Sequence, residues 1–172
     1  MALGVRVSTP DTDRVSYSRE DLEAKINVAL GGRAAEEVVY AKITTGAESD
    51  LDQLTQIARH MIGRWGMSEK IGPVTVLPRD GQGHLLPGAG VSSPELQWVI
   101  DQEIRRLVDQ AHAGVVQLLR DHRAQLESLA RALLQAETLD ASDAYAAAGL
   151  ATRTAELEAA SSTELQAAGS AA

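Results

Sequence analysis

The sequence predicts a mainly α-helical fold, with a few short β-strands on the amino-terminal side and a long helical hairpin towards the carboxyl end. Three observations lead there. Apolar residues recur at three- and four-residue intervals over much of the chain, the rhythm of one helical face. Helix-start signatures precede several of these runs. The side chains available for a core are chiefly Leu, Ala, Val and Ile, with aromatics at 3% and no Phe. A chain of 172 residues, 44% of them apolar, is long enough to bury a real core in one domain. That domain is expected over residues 1–150. Residues 151–172 are mostly Ala, Ser, Thr and Glu, too poor in apolar surface to offset the entropy of ordering, and read as a flexible tail.

In chain order, Ala2 to Val7 reads as a strand and Ser8-Thr9-Pro10-Asp11 as a turn. Ser18 and Asp21 frame a helix start, and Leu22, Ile26, Ala29 and Leu30 form its apolar face. Gly31-Gly32 would cost about 1 kcal/mol per residue inside a helix, so the pair marks either a break or a close approach by another backbone. Thr45 and Glu48 have the spacing of a capping box. Ala47, Leu51, Leu54, Ala58, Met61 and Trp65 then form a stripe ending at Gly66, a left-handed stop. Asp50 falls within that stripe, three after Ala47 and four before Leu54. Its charge is expected to be partly desolvated, with a metal ion, an Arg or backbone donors as compensation.

Ile71 to Pro78 reads as a turn and a second short strand, and Arg79 to Gly90 as a glycine-rich loop. Ser93-Pro94 opens a long helix with Ile100, Ile104, Leu107, Ala111, Val115 and Leu118 on its buried side. A further helix carrying Leu126, Leu129, Ala130, Leu133 and Leu134 should fold back on it as the hairpin. Asp140 to Ala148 adds a short helix. Trp65 and Trp98 read as packed side chains, and the charges around Arg105-Arg106 as a solvated, salt-bridged face.

The formal charge of −8 argues against a nucleic-acid groove, which needs a cationic footprint. Zero Cys excludes disulfides and thiolate metal sites. No apolar run reaches the roughly 18–20 residues that cross a bilayer, and Met1 to Arg6 lacks the features of a signal peptide. The chain is therefore expected to be soluble, with no membrane span and no nucleic-acid partner.

Four blocks in order resemble the peptidase domain of the FtsH family, the membrane-anchored AAA+ zinc proteases. They are Leu22 to Tyr40 with Gly31-Gly32-Arg33-Ala34-Ala35-Glu36-Glu37 at its centre, Thr44 to Asp52, Arg64-Trp65-Gly66-Met67-Ser68 through Gly72-Pro73, and Ile100 to Arg106 running on to Asp140. The resemblance implies a zinc-dependent, ATP-coupled endopeptidase acting on protein or peptide substrates, unfolded or membrane proteins among them. It also implies a homo-oligomer, a hexamer when complete, at the cytoplasmic face of a membrane.

In that family two His of an HExxH helix and one Asp of the Thr-Gly-Ala-containing helix hold the zinc, and the matching position here is Asp50. The resemblance places HExxH ahead of Ala2-Leu3-Gly4-Val5, and it does not occur in this sequence. The intervals between His60, His84, His112 and His122 are 24, 28 and 10 residues, so none sets two imidazoles on one helical face at i, i+4. Catalytic zinc takes three protein ligands, of which one is recognisable. By itself the chain is therefore expected not to hydrolyse peptides. On periodicity alone, Asp50 reads as a first-turn acid favoured by the helix dipole at about 0.3–1 kcal/mol, in preference to a zinc ligand. Glu36 is the candidate acceptor behind a ligand His, with pairing to Arg33 or solvent exposure as the alternative. A truncated relative acting as a non-catalytic assembly or regulatory module is the second functional reading.

Overall fold

The computed structural model describes residues 16–77 and 93–151, which form five α-helices and one 3-10 turn. They belong to two compact units, Met1–Val116 and Gln117–Ala172. In the first unit lie α1 (Arg19–Tyr40), the 3-10 turn Thr45–Ala47, α2 (Glu48–Gly63) and most of α3 (Pro94–Asp121). The second holds the end of α3, then α4 (Arg123–Ala136) and α5 (Ala141–Ala147).

Helix α1 begins as its sequence dictates. Ser18 Oγ accepts the Asp21 N–H at 3.2 Å and the Asp21 carboxylate accepts the Ser18 N–H at 3.0 Å, a reciprocal capping box that satisfies two otherwise orphaned donors. Leu22, Ile26, Leu30 and Ala34, spaced four apart, are its buried residues, and α1 packs along α2. Leu54, Ala58, Met61 and Ile62 are buried on α2, and Ile100, Leu107, Val115 and Val116 on α3. This aliphatic set is the core of the first unit, made without a buried aromatic ring among the described residues.

The structure differs from the sequence expectation at several positions. Helix α1 runs unbroken through Gly31 and Gly32, and a Cβ added at either would meet nothing within 4 Å. The pair is thus neither a break nor a close approach within the described residues. The 3-10 turn starts one residue earlier than the Thr45–Glu48 box required, because Thr44 is the cap. Helix α2 stops at Gly63, three residues before Gly66. Gly66 nevertheless has a special role: its φ is +63°, and a Cβ there would lie 2.7 Å from Pro73 Cα. The Trp65 and Met67 amides donate back to the His60 and Met61 carbonyls, both at 2.9 Å, which closes the helix end.

After this turn the chain folds back over the end of α2. The Val76 and Leu77 amides both donate to the Gly63 carbonyl, at 2.8 and 3.0 Å, and the Leu77 side chain occupies the space a Cβ on Gly63 would need. No β-strand occurs among the described residues. In the stretch expected as a strand, Val76 and Leu77 spend their donors on this helix end and Val74 donates to the Gly72 carbonyl rather than to a ladder, and Ala2 to Val7 lies outside the described residues. Trp65 and Trp98, expected to be packed, are 49% and 64% exposed.

In the second unit α4 follows α3 after one residue, His122, whose amide bonds to Leu118 O and whose carbonyl accepts the Gln125 and Leu126 amides. Both helices of the expected hairpin exist, and the helix on which α4 packs within its unit is α5. Asp140 caps α5 by accepting the Asp143 N–H at 2.8 Å. No residue of α4 is buried.

Candidate functional site

Asp50 stands in the first turn of α2 and is exposed. The expectation of a desolvated carboxylate is therefore wrong. The stripe facing α1 runs through Ala47, Leu54, Ala58 and Met61, and Asp50 lies at its margin in the first turn, where Leu51 itself is half-exposed. Asp50 makes no hydrogen bond or ion pair among the described residues. It points two free carboxylate oxygens outward from the positive end of a helix.

What holds this helix start in place is a side chain from α1. The Glu36 carboxylate accepts the Thr44 N–H at 3.1 Å, and both of its oxygens lie 3.0 Å from Thr44 Oγ. Thr44 Oγ in turn accepts the Gly46 N–H at 3.2 Å. A Cβ on Gly46 would come within 3.3 Å of Thr44 Oγ, so glycine suits the tight turn. Glu36 thus pairs with neither Arg33 nor water alone, as one reading had it, but clamps the residue that caps the 3-10 turn. The next acid, Glu37, approaches His112 Nε2 of α3 at 3.2 Å. That nitrogen is buried and makes no hydrogen bond among the described atoms, so the contact is a close approach of the two side chains. His60 instead contacts Arg64 Nη1 at 3.3 Å and the tilted Trp65 ring at 5.4 Å. His122 sits at the α3–α4 joint, beside Gln125, and His84 lies outside the described residues.

Among the described residues no group of three or more His, Asp or Glu side chains could hold a metal ion. Catalytic zinc needs three protein ligands and an open position. Asp50 supplies one oxygen donor of a suitable kind, and the described residues do not complete a zinc site.

One buried polar cluster escaped the sequence reading. Glu103 of α3 is 1% exposed. Ser68 Oγ donates to it at 2.9 Å, Lys70 Nζ lies at 3.0 Å, and the Arg106 guanidinium donates through Nε and Nη2 at 3.1 Å each. The Arg106 bonds, helped by Lys70 and Ser68, outweigh desolvation and hold the Glu103 carboxyl down at about 2. Arg106 is exposed and salt-bridged, as read from the sequence, and its guanidinium reaches down in a bidentate bond to the buried Glu103 carboxylate. The signal available was faint: Glu103 occupies the Ile100–Leu107 stripe, three after one and four before the other.

Residues 1–146 match the model of peptidase family M41. The chain belongs to peptidase family M41. Three M41 relatives illustrate the likeness. The ATP-dependent zinc metalloprotease FtsH 3 of Conexibacter woesei is 59% identical over 149 residues, which cover 87% of this chain and 20% of that protein. The ATP-dependent zinc metalloproteases FtsH of Thermobaculum terrenum and Rubrobacter xylanophilus are 48% and 47% identical, each over 143 residues, 81% of this chain and 22% of theirs. The M41 chain thus spans about a fifth of the length of the curated relatives it matches. Among its described residues no helix is long and apolar enough to cross a membrane.

Proposed function

We propose that this chain forms part of the peptidase domain of an ATP-dependent zinc metalloendopeptidase that degrades unfolded or membrane proteins as a homo-oligomer at the cytoplasmic face of a membrane. Asp50 is its metal ligand, and the two His ligands and the general base are supplied by residues outside this sequence. The observation that carries the reading is the pairing of M41 membership with an outward, unpartnered carboxylate at the position that the resemblance assigns to the third ligand. An exposed Asp left without a protein partner is a donor kept available. When bound, zinc supplies the electrophile of peptide hydrolysis. The chain's own contribution is to present Asp50 on a helix start whose backbone is fixed by Glu36 and Thr44.

Taken alone, the chain is inactive. Purified chain is expected to leave unfolded casein intact with or without added zinc. Zinc-dependent cleavage lost on chelation and in Asp50→Ala would overturn this. The positive test joins the chain behind the part of the Conexibacter woesei relative that precedes the matched stretch. That hybrid is expected to cleave casein and to lose at least a hundredfold of its rate in Asp50→Ala; equal rates would remove Asp50 from the metal.

The second reading, a non-catalytic assembly or regulatory module, draws on α4, where Leu133 and Leu134 stay exposed. Its mark is binding of the chain to an intact FtsH-type protease without zinc. A chain that stays monomeric and binds no such protease excludes it.

A further inference from the structure

Asp50 has no partner of its own among the described residues, so its carboxylate is located by the backbone of the first turn of α2 and by nothing else there. That turn is continuous with the 3-10 turn: the Glu48 N–H, at the first helical residue, bonds to the Thr45 carbonyl. The 3-10 turn is in turn capped by Thr44, whose hydroxyl accepts the Gly46 N–H while its amide and hydroxyl both donate to Glu36. Glu36 stands on α1, the helix that packs on both the turn and α2. A single carboxylate therefore couples the rigid α1 to the origin of α2, and a shift of that origin by one residue would rotate Asp50 by about 100° around the helix axis.

We infer that Glu36 is a positioning residue for Asp50, acting through Thr44 rather than through any group that touches zinc. The inference rests on the reading of Asp50 as a metal ligand. It differs from a role behind a ligand His in that the group held is Thr44, through its amide and hydroxyl. Glu36→Gln keeps the length of the side chain and gives one acceptor oxygen in place of two. Thr44→Val removes the hydroxyl and keeps the shape. Thr44→Ser keeps the hydroxyl and the amide, and serves as the conservative rescue.

Two measurements test it. In the full chain, Glu36→Gln and Thr44→Val are expected to speed amide hydrogen exchange at Thr44 and Gly46 about tenfold, with exchange in the middle of α1 unchanged and Thr44→Ser behaving as the parent. Unchanged exchange at Thr44 and Gly46 overturns the clamp. In the hybrid protease, zinc affinity read by competition with a chromophoric chelator is expected to fall 10- to 100-fold in Glu36→Gln and Thr44→Val, the range seen when a group that orients a ligand is lost. Thr44→Ser should stay within threefold. If Asp50→Ala abolishes zinc binding while Glu36→Gln and Thr44→Val leave it intact, the positioning role is wrong and the ligand reading stands. If Asp50→Ala leaves zinc affinity untouched, both fall. A loss of melting temperature in Glu36→Gln with unaltered zinc affinity would mark Glu36 as structural only and also overturn the inference.

Discussion

The two units of this chain carry similar helical patterning but differ in what they bury. In the first, α1, α2 and α3 give up Ile26, Leu30, Leu54, Met61, Ile62 and Ile100 almost completely to the interior, and a carboxylate is buried among them with its bonds made. In the second, α4 repeats the apolar rhythm with Leu126, Leu129 and Leu133, yet buries none of them, and Leu134 is 82% exposed. An apolar stripe is a property of one helix. Burial needs a second surface, and the described residues of the second unit offer α4 chiefly the seven-residue α5.

A strong way to break the contrast is at Glu103. Glu103→Ala takes the carboxylate from Lys70 and Arg106, which both reach solvent, and leaves the buried Ser68 without its acceptor. The cost lies in the unsatisfied buried Ser68 hydroxyl, about 1–3 kcal/mol, and in the lost buried methylene, about 0.8 kcal/mol; urea unfolding followed by Trp65 and Trp98 fluorescence should shift to lower denaturant. A midpoint within error of the parent would show that the cluster is not a stabilising centre of the first unit.

Core truncation sharpens the comparison side by side. Ile26→Ala, at a fully buried position, is expected to cost about 2–5 kcal/mol, whereas Leu134→Ala should stay within about 0.5 kcal/mol in the isolated chain. Comparable losses at the two sites would mean that α4 is covered after all.

Acid titrates the same contrast. The folded Glu103 carboxyl sits at about 2 against an ordinary 4.5. Because the folded value is the lower one, its contribution is fully present above pH 4.5 and is lost as the pH falls towards 2. The stability gap between the parent and Glu103→Gln should therefore be wide at pH 6 and shrink steadily between pH 4.5 and 2. A gap independent of pH would assign the loss to packing instead.

The smallest effects concern glycines. Gly66→Ala meets both a left-handed φ and the Pro73 backbone, and should cost about 1–3 kcal/mol. Gly32→Ala meets open space inside a helix and should gain up to about 1 kcal/mol. Thermal melts of the two variants shifting in the same direction would contradict this division.

Much of the helical framework was legible in the residues. The Ser18–Asp21 box, the four-residue spacing from Leu22 to Ala34 and the Ser93-Pro94 start are local signals, and local signals set helix ends and faces. Asp50 was misjudged because periodicity says which residues share a face but not how far along the helix a neighbour covers that face. The cap at Thr44 was missed by one residue, since the acceptor that selects it, Glu36, is eight residues away on another helix. Glu103 was missed for the same reason at greater range: its compensating groups at Ser68 and Lys70 belong to a segment whose arrival no pattern within α3 announces. The second strand failed because Val74 to Leu77 has β-prone residues but finds a helix end instead of a strand partner.

Sequence separation also gives these contacts different loop-closure costs. The Glu36–Thr44 clamp closes over 8 residues and the Ser68–Glu103 bond over 35, so the α1–α2 corner can assemble before the distant latch is reached. If the latch forms after the rate-limiting barrier, its loss appears mainly in the rate of opening. Stopped-flow traces of Glu103→Gln should then show faster unfolding with a nearly unchanged refolding arm, and a slowed refolding arm would place that latch in the nucleus.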